Sequence, residues 1–124
     1  MLDAADTAFR RWVKAEIRKG RLLGSIVEAS DGVAGSGCLW LRPVQPRPRS
    51  RKLVEPYLFS MFTEPNFRRK GVASRILNEA IKWSKRNGYA QILLHASQKG
   101  RSLYRKYGFT RTWEMRLELG RRKT

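Results

Sequence analysis

The sequence predicts a single mixed α/β domain, with a mostly antiparallel sheet, one parallel strand pair and flanking helices. Three observations predict it. Val54 to Thr63 is an apolar and aromatic run, an amphipathic helix follows from Val72, and Ala90 to Ala96 is a second apolar run; strand, helix and strand in that order imply a right-handed parallel crossover. Leu22 to Ser30 and Val33 to Leu41 are strand-like and meet at Asp31-Gly32, a strong hairpin signal that makes them antiparallel neighbours. Phe9, Trp12, Val13 and Ile17 recur at helical spacing before the hairpin.

The first helix is expected from about Asp6 to Lys19, with Asp3 or Asp6 as N-cap and Gly20 as its stop. After the hairpin, residues 42–52 hold three prolines and five cations. Proline cannot donate to a strand ladder, so a mobile or polyproline-like loop is expected rather than a central strand. The run from Val54 ends in the turn Glu64-Pro65-Asn66-Phe67. In the next helix Val72, Ala73, Ile76, Leu77, Ala80 and Ile81 share a face opposite Arg75, Asn78, Glu79, Lys82 and Lys85, and Asn87-Gly88 closes it after about seventeen residues. Gly100 to Tyr107 reads as a short helix, Gly108-Phe109 as its end, Trp113 to Leu119 as a final strand, and residues 120–124 as a basic tail.

The chain has 124 residues, 41% of them hydrophobic and 10% aromatic, enough for one domain with a real core. No apolar run approaches the ~20 residues of a membrane span. Met1 to Asp6 lacks the basic start and apolar stretch of a secretion signal. Cys38 is the one cysteine, which excludes an internal disulfide and points to a reducing compartment, so a cytoplasmic location is expected. With one His and one Cys a Cys/His zinc site is not expected, and no metal is called for.

The segment Arg68-Arg69-Lys70-Gly71-Val72-Ala73 stands where the turn meets the helix. A helix start leaves backbone N–H groups without intrahelical partners at the positive end of the macrodipole, where an anion is stabilised. Gly71 and Ala73 keep bulky side chains away from such an anion, and the three cations add charge. The plainer reading is a helix start with a solvated basic cluster.

Arg68, Gly71 and Ala73 match the pattern Arg or Gln, two residues, Gly, one residue, Gly or Ala, and Leu103-Tyr104-Arg105-Lys106-Tyr107-Gly108-Phe109 matches a Leu-Tyr-x-x-x-Gly-Phe element. In both, and in Met61-Phe62-Thr63-Glu64-Pro65-Asn66-Phe67, the chain resembles the GNAT superfamily of acyl-CoA N-acyltransferases over roughly residues 7–119, with the motifs in 58–109. The resemblance implies a parallel strand pair that splays apart to admit the pantetheine arm, and acetyl-CoA as co-substrate for transfer to a primary amine by direct attack. It implies that backbone groups of Met61, Phe62 and Thr63 hold pantetheine and thioester, that Arg69, Lys70, Gly71, Val72, Ala73 and Ser74 cradle the pyrophosphate with Arg68 at its mouth, and that Ser97 stands where many relatives have an Asn that bonds pantetheine. Tyr104 is then the general acid, since a phenol of pKa about 10 is protonated at neutral pH and can donate to a departing thiolate. The family usually begins with another strand and helix, for which this sequence has no room, so residues 1–124 are expected to form one domain lacking them, whether as a naturally short member, a fragment or a protein whose start lies upstream. Dimers are common in the family, which makes a homodimer an expected partner arrangement.

Plainer alternatives stand beside these roles. Tyr104 could pack as a helix aromatic, with Tyr107 the competing phenol. Glu55 is the best-placed carboxylate for a base, against an ion-paired structural role, and water can carry the amine proton instead. Glu64 reads as a turn residue and His95 as a core or sheet-face histidine, while Ile92 falls where some relatives carry a Glu. The acceptor stays open among small amines, amino acids, antibiotics and protein amines. Lys and Arg total 27 against 10 acids, for a net charge of +17, while the phosphates of one CoA carry about four negative charges. A second function class is therefore a basic nucleic-acid- or ribosome-associated binding module, a catalytically silent form of the same fold that grips polyanions through residues 42–52 and 121–123.

Overall fold

The computed structural model describes residues 4–30, 32–48 and 50–120. Asp3, Asp31 and the tail residues 121–124, which bear on an N-cap, the hairpin turn and a basic arm, lie outside them. Helix α1 spans Ala4–Arg18, β1 Leu22–Ala29, β2 Gly32–Pro43, β3 Val54–Thr63, α2 Val72–Arg86, β4 Leu93–Leu94 and α3 Arg101–Lys106, with a 3-10 turn at Pro65–Phe67 between β3 and α2. Asp6 falls inside α1 rather than at its cap, because the helix already runs from Ala4. The sheet order is β1-β2-β3-β4, antiparallel except for the parallel pair of β3 with β4.

All three helices end the same way. In α1 the Arg21 N–H reaches the Glu16 carbonyl and the Gly20 N–H reaches that of Ile17; Tyr89 with Gly88, and Phe109 with Gly108, repeat the pattern on α2 and α3. The positive φ of these glycines, 72°, 78° and 94°, is what lets the chain double back and satisfy the last carbonyls.

The two faces of the sheet are divided by strand alternation. Leu39 and Leu58 face α2 and build the core with Leu77, which is fully buried, and Ala80. Their neighbours Trp40 and Phe59 face the other way and meet Trp12 of α1 edge-on at 5.0 and 6.1 Å. The expected apolar face of α1 is only partly used: Trp12 and Val13 are half-buried, but Phe9 and Ile17 remain more than half exposed. What anchors α1 is polar. Glu16 is buried, accepts from Trp40 Nε1 at 2.8 Å and from Arg21 Nη2 at 2.9 Å, and lies 3.7 Å from Lys19 Nζ. The Trp40 hydrogen bond, more than any other influence, holds its carboxyl below the usual range, with Arg21 and Lys19 helping against the opposing effect of burial.

Three expectations are corrected. The run 90–96 yields only two residues of strand, because β3 turns away from it after Leu58. Trp113 to Leu119 forms no strand among the described residues, since no neighbouring strand takes up its backbone hydrogen bonds, and its apolar side chains point outward. The Pro/Arg segment is pinned rather than loose. Arg42 and Pro43 complete β2, the Val44 N–H donates to the Leu53 carbonyl at 2.8 Å, and Arg47 and Ser50 exchange backbone hydrogen bonds at 3.0 Å.

Glu55 holds that segment. It is 5% exposed and accepts from Arg42 Nη2 at 2.7 Å, Arg47 Nη2 at 2.8 Å and Gln91 Nε2 at 3.1 Å. Lys52 donates to the Asn87 carbonyl at 3.2 Å and lies 4.4 Å from the centre of the Tyr89 ring. Three of the segment's five cations are thus engaged within the fold.

Burial pushes the Glu55 carboxyl upward, but hydrogen bonds from Arg42, Gln91 and Arg47, with the Arg47 charge, outweigh it and leave it below the ordinary glutamate value. A depressed folded pKa stabilises the fold above the unfolded value of about 4.3 and ceases to do so as pH falls through the folded one. Glu55→Gln is expected to lower stability at pH 7 by about 1–3 kcal/mol, partial exposure of the two guanidiniums moderating the loss. Urea titrations should show the difference shrinking steadily below about pH 4.

Candidate functional site

β3 continues five residues past its last β4 partner, from Phe59 to Thr63. The departure begins at a bulge. Cys38 pairs with Phe59 and Ser36 with Phe62, so Ser60 and Met61 together stand opposite Gly37. Ser60 takes up the extra residue with φ 54°, and Met61 swings to the α2 face, where it packs on both core clusters.

Gly37 is what admits this arrangement. A Cβ there would stand 2.8 Å from both Met61 Sδ and Ile76 Cγ2. Gly35 does the same one step along the strand, where a Cβ would meet Val72 Cγ1 at 2.6 Å and the Phe62 carbonyl oxygen at 2.7 Å. The sequence reading missed Ser60, Gly35 and Gly37, although glycine twice in three residues inside a strand is a recognised sign of a bulge or a close approach.

From Thr63 the chain turns sharply into α2. The Glu64 N–H donates to the Ala34 carbonyl at 2.8 Å, and Arg68 Nε reaches back to the Thr63 carbonyl at 3.5 Å. Arg69, at φ 64°, and Gly71, at φ 81°, are both left-handed. Gly71 caps α2 without any side-chain hydrogen bond, and the Arg75 N–H closes the first helical turn on its carbonyl at 3.0 Å. The N–H groups of Val72, Ala73 and Ser74 therefore have no partner within the helix. Above Gly71 the space is open, with nothing within 4 Å of where a Cβ would stand. Arg68, Arg69 and Lys70 are exposed around this opening; Val72 is buried on Ala34 and Ile76, so only its backbone is available there. The uncapped N–H groups, the open glycine and the cations suit a diphosphate.

On the far side of the gap, β4 leads through exposed His95 to Ala96 and Ser97. The Gly100 N–H donates to both the carbonyl and the hydroxyl of Ser97 at 3.2 Å. Tyr104 lies against the same glycine: a Cβ on Gly100 would be 2.8 Å from Tyr104 Cε2 and 3.3 Å from Ser97 Oγ. Its half-buried ring meets Phe109 edge-on at 5.8 Å and packs on the Leu39–Leu58–Leu77–Ala80 cluster, as Met61 does. Burial pushes the phenol pKa above its ordinary value. Tyr107 packs on that cluster too, but Ser97 and Tyr104 are the pair that Gly100 brings together.

The other carboxylates lie elsewhere. Glu55 is six residues before Met61, about 20 Å along the strand, and is held there by three donors. Glu64 is exposed in the turn. Ile92 is half-buried against the core. A groove of about 500 Å³ lies between β1 and α2, lined by Ile26, Glu28, Arg75, Glu79 and Lys82 among others; it is separate from the gap between β3 and β4.

A profile of the GNAT acetyltransferase domain matches residues 19–111. A search of curated proteins finds no match. Among solved structures, a predicted acetyltransferase from Clostridium acetobutylicum, crystallised with acetyl-CoA, superposes with a TM-score of 0.83 at 27% identity, over 97% of this chain and 77% of that one. A GCN5-related N-acetyltransferase from Ralstonia eutropha gives 0.81 at 24% identity, over 95% and 81%. Glucosamine-6-phosphate N-acetyltransferase from Arabidopsis thaliana gives 0.73 at 15% identity, over 96% and 81%, a likeness of fold alone. With the profile spanning three-quarters of the chain, the protein belongs to the GNAT acetyltransferase family.

Proposed function

We propose that this chain transfers an acetyl group from acetyl-CoA to a primary amine by direct attack. The observation that carries the reading is the parting of β3 from β4 beside an uncapped helix N-terminus whose capping glycine faces open space. The likeness to a protein crystallised with acetyl-CoA supports it.

In this reading the backbone of Met61, Phe62 and Thr63, which has no strand partner on the side towards β4, offers peptide-like hydrogen bonds to the pantetheine arm, and one of its N–H groups faces the thioester carbonyl, stabilising the charge that develops on oxygen. Arg68, Arg69, Lys70 and the backbone N–H groups from Gly71 to Ser74 hold the pyrophosphate. Ser97 Oγ already accepts from the Gly100 N–H, which leaves its own O–H free to donate to pantetheine. The amine nitrogen bonds to the acyl carbon, the carbon–sulfur bond breaks, and the nitrogen's surplus proton passes to water. Tyr104 gives its phenolic proton to the leaving sulfur. A phenol whose pKa is raised by burial remains protonated throughout the neutral range, as a general acid must.

Calorimetry with acetyl-CoA is expected to show saturable binding that Gly71→Trp abolishes while leaving the fold intact by circular dichroism, because the indole would occupy the open space and the left-handed backbone costs only about 1–3 kcal/mol. Tyr104→Phe should bind acetyl-CoA as well as the parent yet lose about a hundred- to ten-thousand-fold in turnover. CoA release measured across a panel of amines should show the parent's alkaline limb above pH ~10, with that limb absent from the Phe variant. Gly100→Ala, whose methyl group would collide with the Tyr104 ring, is expected to cost about 1–3 kcal/mol of stability and to reduce turnover more than acetyl-CoA affinity.

A further inference from the structure

Helix α1 carries more charge than its packing uses. Glu16, on the side turned to the sheet, takes up Arg21 and Lys19. Arg10, Arg11, Lys14 and Arg18 are exposed, and among the described residues they enter no ion pair or side-chain hydrogen bond. At 3.6 residues per turn these four side chains share an arc of about 100°, nearly opposite Trp12 and Glu16. Arg10, Lys14 and Arg18 stand in one row at steps of about 6 Å. The acids of α1 are Asp6, in its first turn, and the buried Glu16, so no carboxylate interrupts the row. Beside it runs the row Phe9, Val13 and Ile17. Phe9 is 53% exposed, yet its ring is stacked on Trp12 at 6.0 Å, and Trp12 in turn meets Trp40 and Phe59 of the sheet.

We propose that this face of α1 binds single-stranded nucleic acid, its phosphates on Arg10, Arg11, Lys14 and Arg18 and a base stacked on Phe9. Three of the four cations are arginines, whose planar forks match phosphate oxygens in pairs. The hydrogen bond from Trp40 to Glu16 fixes the helix to the sheet, so the cations form a set array rather than a loose charged arm. A cationic track with an aromatic ring beside it is the combination that holds single strands, because phosphates follow the charge and an unpaired base covers the ring. In a duplex the bases are already stacked and would leave Phe9 uncovered. An anionic membrane would require a continuous apolar face to sink into the lipid; that side of α1 lies against the sheet, with Phe9 and Ile17 at its edge. α1 and α2 cover opposite faces of the sheet, so the track is separate from the cationic cradle at the start of α2 and independent of the proposed transfer.

Fluorescence anisotropy of a labelled oligouridylate of about twelve nucleotides with the full chain is expected to show saturable binding that saturating acetyl-CoA leaves unchanged. Arg10→Gln, Lys14→Gln and Arg18→Gln together should weaken it at least about tenfold and lower the slope of log affinity against log salt by about 2, at roughly 0.7 per phosphate contact. The same number of neutralisations on α2, Lys82→Gln, Lys85→Gln and Arg86→Gln, should weaken it by less than about threefold. Phe9→Ala should cost the oligonucleotide at least about fivefold and leave binding of heparin, which has no bases, unchanged. All the substituted side chains are exposed, so each variant should stay folded by circular dichroism. Equal losses from the two triple variants would assign the binding to diffuse charge, and displacement by acetyl-CoA would assign it to the α2 cradle; either overturns the proposal. So does a Phe9→Ala variant that binds the oligonucleotide like the parent or loses heparin equally, or a parent that binds phosphatidylserine vesicles but no oligonucleotide.

Discussion

The site depends on one close approach, where Met61 and Ile76 meet over the bare backbone of Gly37. The missing side chain lets β3 bulge at Ser60 and lets the first turns of α2 settle on the sheet. If β3 remained regular, it could continue pairing with β4 and no gap would open; if α2 stood further off, its uncapped N-terminus would no longer flank that gap. Protein interiors are close-packed, so a single Cβ at either glycine of β2 would be felt through both elements.

Charge is arranged around two buried glutamates. Glu16 ties α1 to the sheet through Trp40 and to the start of β1 through Arg21, and Glu55 ties the Pro/Arg segment to β3 and, through Gln91, to the approach to β4. Each carboxylate offers enough acceptor sites for several donors at once, and in a chain of net +17 such donors are abundant. The arrangement also separates structure from chemistry. The one carboxylate of β3, Glu55, is held by three donors far from the gap, so the proposed transfer draws on backbone dipoles, a phenol and water rather than on a carboxylate base.

Much of the framework was legible in the sequence. The periodicity of α1 and α2, the turn at Asp31-Gly32 and the stops at Gly20 and Gly88 placed four elements to within two or three residues. Arg68, Gly71 and Ala73 mark a helix start with an open glycine, and Tyr104 lies on the short helix expected for it. What escaped was the bulge at Ser60, because alternation along Val54 to Thr63 reads as unbroken, and the double role of Gly35 and Gly37, which have no side chain to reveal what presses on them.

By itself, then, the sequence determined which segments are helix or strand, which face of each is apolar and where each helix stops, since these follow from spacings of a few residues. Only the tertiary structure decided what each face meets. It assigned Glu55 to two arginines of the Pro/Arg segment and a glutamine from a distant one, cut β4 to two residues, and left Trp113 to Leu119 without a strand neighbour among the described residues although their alternation is that of a strand. The physical reason is that a strand's pattern specifies a buried face and a row of backbone donors and acceptors, but whether these are satisfied depends on residues distant in the chain.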